Sequence, residues 1–124
     1  MITQTPAEAG HGPVVTVSPP AGLVFLSGVK PLLGEQGGSM PTGIDDQLAL
    51  TLDNLLAMLA VRDLGWEAVA KVILYLTDVR EVDAWERALS ARFGAGWRPA
   101  LTVVQVDGLR ERGARVTLDV VAGG

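Results

Sequence analysis

Residues 71–77 read KVILYLT. The run is too short for a stand-alone helix and almost wholly apolar, so it predicts a strand buried on both faces. Helical spacing lies on either side of it in the sequence. A strand of this kind needs cover above and below, which limits the chain to a layered fold.

Upstream, Ile44, Leu48, Leu52, Leu55, Leu56 and Leu59 recur at helical spacing and predict one buried helix face. Asp45 and Asp46 fall in its first turn, where they complement the helix dipole. Gly65 is expected to close the segment, as glycine often does after a helix. WEAVA, 66–70, reads as one short turn. Downstream, Asp78 and Glu81 have capping-box spacing and predict a second helix with Val82, Trp85, Leu89 and Phe93 as its apolar stripe, ended by Gly94.

Four more runs read as strands. VVTVS (14–18) and LVFLSGV (23–29) are joined by PPAG and predict a hairpin. ALTVVQV (100–106) and RVTLDVVA (115–122) follow the second helix, linked by DGLRERGA. The order is β-β-α-β-α-β-β, an α+β fold in which two helices cover one face of a mixed sheet. Residues 1–12 have no period and read as a flexible tail before a single domain over 13–124. KPLLGEQGGSMPTG, 30–43, reads as a mobile loop.

Apolar residues make up 48% of the 124. A domain of this size buries only about two-thirds of the surface its unfolded chain exposes. The high apolar share therefore predicts a second subunit over the uncovered sheet face, a homo-oligomer. The formal net charge is −4 and the basic residues are scattered, which disfavours nucleic acid as a partner. With no cysteine there is no thiolate chemistry and no disulfide. The longest apolar run, 55–61, is far short of the roughly 20 residues that span a bilayer. Without a secretory pattern at the start, the expected location is the cytoplasm, with no membrane partner.

The candidate chemistry is sparse. His11, the one histidine, lies in the tail, and no metal-ligand cluster is visible, so no metal is expected. GEQGG, 34–38, lacks the Lys-Ser/Thr pair of a phosphate-binding loop. Ser27 offers a hydroxyl at the end of a strand. Asp119 interrupts an apolar strand, and alternation sets it on one face with Arg115 and Thr117. A carboxylate there is costly unless it is hydrogen-bonded or used. It reads either as half of an interface salt bridge or as a general acid/base.

The segments taken together resemble the Rid/YjgF family of reactive enamine/imine deaminases. The resemblance runs from about Gly12 to Ala122 through GP (12–13), LVFLSG (23–28), TLDNLLAML (51–59), VAKVILYLTDVREVDAWERAL (69–89), RPALTVVQV (98–106) and VTLDVVA (116–122). It implies a chorismate-mutase-like homotrimer with small-molecule clefts between adjacent subunits. Deaminating members hydrolyse enamine/imine products of amino-acid dehydratases to a 2-keto acid and ammonia, with no cofactor. Some relatives carry ribonuclease activity, which the negative net charge disfavours here.

Residue by residue, the family's Ser-Gly matches Ser27-Gly28. Its water-positioning Glu matches Asp119, one methylene shorter. Its Tyr falls on Val14, and an Asn of the second helix falls near Glu86. The Arg that grips the substrate carboxylate falls on Leu101, which is expected to line the cleft with Val103. A bidentate Arg–carboxylate contact is worth roughly 1.5–3 kcal/mol, and leucine offers no donor. Arg98 is three residues from Leu101 and has the opposite strand parity. Replacement of the anchor by Arg98 or by Arg115 is disfavoured. The resemblance thus implies a metabolite-binding cleft acting on an imine or enamine that lacks a carboxylate, by hydrolysis or tautomerisation, in specialised metabolism. Activity on standard 2-imino acids is expected to be weak or absent. The alternative is a non-catalytic trimer that binds a small molecule or stabilises a partner.

Overall fold

A computed structural model describes residues 2–5, 14–17, 22–32 and 40–123. His11, most of the PPAG turn and the centre of the 30–43 loop lie outside these residues. Six strands and two helices are seen: β1 (Ile2–Thr5), β2 (Val14–Val17), β3 (Leu23–Val29), α1 (Ile44–Ala60), β4 (Val69–Leu76), α2 (Asp83–Phe93), β5 (Ala100–Gln105) and β6 (Val116–Gly123).

The main sheet has the order β3-β6-β4-β5. β6 pairs antiparallel with both β3 and β4, and β5 runs parallel to β4. The sheet is therefore mixed, and the fold is α+β as the sequence predicts. The one parallel connection is the β4–α2–β5 crossover, since parallel neighbours need a long return segment.

Alternation assigns the two faces. Val72, Leu74 and Leu76 of β4 and Val116, Leu118, Val120 and Ala122 of β6 are buried with Leu48, Leu52, Leu55 and Leu59 of α1 and Leu89 of α2. The opposite face carries Ile73 and Tyr75 of β4, Thr117, Asp119 and Val121 of β6, and Leu23, Phe25 and Ser27 of β3. No helix covers it. At the start of β4, Trp66 stacks on Phe93 with centroids 4.6 Å apart, and its indole N–H donates to the Trp97 carbonyl at 2.8 Å. Buried aromatic bodies with satisfied N–H groups close this end of the core.

Gln47 is fully buried on the apolar face of α1. Its amide donates to the carbonyls of Pro41 (2.7 Å) and Gly113 (2.9 Å), and its oxygen accepts from Arg115 N–H (2.7 Å). Three bonds offset the cost of burying the amide and tie α1 to the β5–β6 connector.

Local expectations are corrected at four places. Residues 14–18 and 23–29 do not form a hairpin: β2 pairs with β1, and β3 pairs with β6. The apolar alternation of β3 matches β6, with which it completes the core face, and that match outweighs proximity in sequence. Ile2–Thr5, read from sequence as tail, form a strand from a tetrapeptide with three β-branched residues. The capping box does not close. Asp78 accepts from Arg80 N–H at 3.0 Å and caps a short 3₁₀ turn, Val79–Glu81, while Glu81 pairs with Arg115 at 3.5 Å; α2 begins only at Asp83.

The fourth correction concerns the end of α1, which is set by Asp63 rather than Gly65. Asp63 has φ +57°, its N–H bonds to Ala60 O, and Leu64 N–H bonds to Leu59 O. These two bonds make a Schellman motif with aspartate in the left-handed position. A non-glycine residue there costs roughly 1 kcal/mol. Asp63→Gly is accordingly expected to stabilise the fold by several tenths to about 1 kcal/mol, seen as a higher urea midpoint at unchanged slope.

Candidate functional site

β3 and β6 fall out of simple register between Leu26 and Val29. Leu26 faces Val120 and Val29 faces Leu118, so Ser27 and Gly28 together oppose Asp119. This is a β-bulge, the irregularity that frees a backbone group from the ladder and re-aims it. Gly28 supplies the positive φ of +62° that the bend requires. Its freed N–H donates to Asp119 Oδ1 at 3.0 Å.

Tyr75 approaches the same carboxylate from the other side. Its register partner on β6 is Thr117, on the same face as Asp119, and its hydroxyl donates to Asp119 Oδ2 at 3.3 Å. Partial burial, then the Asp119 charge, push the phenol above its ordinary value, so it remains a protonated donor at neutral pH. Each carboxylate oxygen thus receives one neutral donor. Among the described residues, Asp119 pairs with no lysine or arginine. The salt-bridge reading of Asp119 has no counterpart within the chain.

Of the site residues read from sequence, the structure brings together Ser27, Gly28 and Asp119. Ser27 is exposed within the bulge. Leu101 and Val103 lie elsewhere. Their register partners on β4 are Val72 and Leu74, so they sit on the helix-covered face, packed half-buried against the core. Within one chain they are on the opposite side of the sheet from Asp119. Val14 occupies β2, opposite Thr5.

Both arginines weighed as a replacement anchor have a carboxylate partner within the chain. Arg98 bonds to Glu86 at 3.0 Å and to the Gly94 carbonyl at 2.7 Å, clamping the end of α2. Arg115 pairs with Glu81. Glu86, at the family's Asn position, is engaged by Arg98.

Tyr75 was missed by sequence reasoning. The apolar run 71–77 groups it with the residues of a buried strand. The signal was its parity with Ile73 rather than Leu74, which turns the phenol to the uncovered face. The Gly28–Asp119 bond had no local signal, since it joins residues 91 positions apart.

Two surface grooves are seen among the described residues, and the second reaches Gly28 of the bulge. One of about 480 Å³ runs between α1 and α2 beside the Arg87–Asp45 pair, and one of about 540 Å³ runs along the β3 edge against Asn54, Met58 and Val61. Among the described residues, no group of three or more histidine, aspartate or glutamate side chains is placed to hold a metal ion, and no helix is long and apolar enough to cross a membrane.

The comparisons with known proteins agree with this architecture. The family model described as Endoribonuclease L-PSP matches residues 3–123. The chain is 31% identical to the protein DfrA of Myxococcus xanthus over 100 residues, covering 81% of this chain and 75% of DfrA. The Rid-family protein YyfA of Yersinia pestis superposes with a TM-score of 0.75 at 22% identity, covering 95% of this chain and 90% of YyfA. The TdcF protein of E. coli, solved with bound serine, superposes at 0.72 with 24% identity, covering 86% and 83%. The two structural likenesses carry the fold.

The bulge gives a direct test of how Asp119 is held. A Cβ at Gly28 meets no atom within 4 Å, so the cost of Gly28→Ala is conformational rather than steric. It is expected to destabilise by roughly 1–2 kcal/mol. Gly22→Ala, with equal room and no positive φ, is expected to be near neutral. Parallel urea titrations check the difference.

Proposed function

Because the chain belongs to the Endoribonuclease L-PSP family, also called YjgF/Rid, we propose that its Asp119 face binds a small metabolite and hydrolyses or tautomerises an imine or enamine without a carboxylate. The observation that carries this reading is the carboxylate itself. Asp119 lies half-buried on an otherwise largely apolar face, oriented by the Gly28 N–H and the Tyr75 hydroxyl and neutralised by no cation among the described residues. A charge kept in such a place is suited to proton transfer.

For a protonated imine R₂C=NH₂⁺, Asp119 takes a proton from water as the water oxygen bonds to the imine carbon, giving R₂C(OH)NH₂. That proton passes from Asp119 to nitrogen, giving R₂C(OH)NH₃⁺. Asp119 then takes the hydroxyl proton as the C–N bond breaks and R₂C=O and NH₃ leave. The proton passes on to NH₃ as NH₄⁺, and Asp119 returns to its starting form. Ser27 lies within the same bulge to contact the bound molecule.

In this reading the site is completed by a homotrimer. Phe25 and Leu23 are 70% and 53% exposed on the uncovered sheet face, an apolar surface that a second copy would bury. β5 ends the sheet with one edge unpaired among the described strands. Its Leu101 and Val103 would meet the Asp119 face of a neighbour, which is the only way these residues share a cleft. Leucine in that wall offers a substrate carboxylate no partner.

A second reading, a ligand-binding or partner-stabilising trimer without turnover, is favoured by the packing of Leu101 and Val103 against the core. Turnover separates the two. The protein is expected to accelerate hydrolysis of the N–H imine released from benzylamine by a flavin amine oxidase, and to do little with 2-iminobutanoate. Asp119→Asn is expected to lower the benzylamine-imine rate by about 10²-fold or more. An unchanged rate removes Asp119 from the mechanism. Leu101→Arg is expected to raise 2-iminobutanoate turnover about tenfold, the worth of a charged hydrogen bond to the carboxylate.

A further inference from the structure

The hydrogen bonds at Asp119 restrict the kind of ligand this face can hold. The two donors nearest the carboxylate are both directed at it: Gly28 N–H to Oδ1 and Tyr75 O–H to Oδ2. What the pair presents outward is acceptors. Asp119 retains lone pairs on both oxygens, and the Tyr75 oxygen, its proton committed, can accept but not donate.

The neighbouring cations are turned elsewhere. Lys71, on the same face of β4, donates to Thr102 Oγ1 of β5 at 2.7 Å, away from the strand that carries Asp119. Lys30 is paired with Glu111 at 2.7 Å, and Arg115 with Glu81. An anionic ligand head group would meet a carboxylate and a phenol oxygen, with the Ser27 hydroxyl as the one uncharged donor nearby among the described residues. A cationic one would meet two acceptors about one hydrogen-bond length apart. Around them the same face is apolar, with Ile73 next to Asp119 across the ladder and Phe25 next to Val121. The Phe25 ring is mostly exposed in the single chain, at the seam where a second copy would lie, so a delocalised cation held beside Asp119 would stack on it at the subunit boundary.

We propose that Asp119 and Tyr75 together form a head-group site for a planar organic cation bearing at least two N–H donors, an iminium or amidinium, whose apolar body lies against Phe25 and Ile73. Asp119 supplies the countercharge and accepts one N–H. The Tyr75 oxygen accepts a second and holds the head group in the plane of the pair. The inference rests on the reading that this face is the ligand site, and it names the substrate class as the protonated imine.

The test uses binding, so its outcome is separate from turnover. Benzamidine, a planar amidinium, is titrated into the full-length protein and followed by thermal melting and by the Gly28 amide resonance, with benzoate and benzamide as matched anionic and neutral probes. Benzamidine is expected to raise Tm and shift the Gly28 resonance, and benzoate to do neither. Asp119→Asn is expected to weaken benzamidine binding at least about tenfold, and Tyr75→Phe, which keeps the ring, about threefold. Benzoate binding as well as benzamidine would overturn the proposal. So would a Gly28 resonance in the wild-type protein that benzamidine leaves unmoved, a result that needs no variant to fold. Benzamidine binding at Gly28 without imine turnover would uphold the cation site and defeat the hydrolysis reading; turnover without such binding would do the reverse.

Discussion

The sheet has two faces and the two helices cover only one. Every second residue of β4 and β6 is therefore committed to the core, and the residues between them are turned outward by the pleat. This parity rule decides which side chains can form a site. It puts Tyr75, Asp119 and Ser27 together on the uncovered face and keeps Leu101 and Val103 on the other. It also leaves Phe25 and Leu23 exposed, which is the physical reason for reading that face as an interface.

The bulge at Ser27-Gly28 works against the regularity of the sheet. One extra residue in β3 breaks the ladder, and an N–H that would have paired with a neighbouring strand is directed at a carboxylate instead. The positive φ of Gly28 makes the bend tolerable. Tyr75 completes the arrangement from β4, so three strands meet on one carboxyl group. A carboxylate held in this way is oriented for countercharge and for proton transfer alike.

The absence of an arginine at position 101 gains meaning from this geometry. In the family resemblance Leu101 replaces the carboxylate anchor. In the structure, Arg98 is committed to Glu86 and Arg115 to Glu81, so neither restores it. The same face that lacks an anion grip carries an unneutralised carboxylate. The two observations point the same way: the ligand is better matched as a cation than as an acid.

Much of the fold was legible in the sequence because its signals are local. The 3.6-residue period of Ile44 to Leu59, the stripe Val82, Trp85, Leu89 and Phe93, and the apolar runs at 71–77, 100–106 and 115–122 each declare an element without reference to the rest of the chain. The order of elements then implied a mixed sheet with helices on one face. Ser27 and Asp119 were also legible, as polar groups in apolar strands. What sequence could not decide was pairing. β3 lies next to β2 in the chain but next to β6 in the sheet, and the end of α1 fell to Asp63 because the chain turns there to bring Leu64 onto the core. The Gly28–Asp119–Tyr75 contact depends on a register shift between strands some 90 residues apart, and register is a property of packed faces, not of neighbouring residues. Local chemistry chose the elements; tertiary packing chose which of their side chains meet.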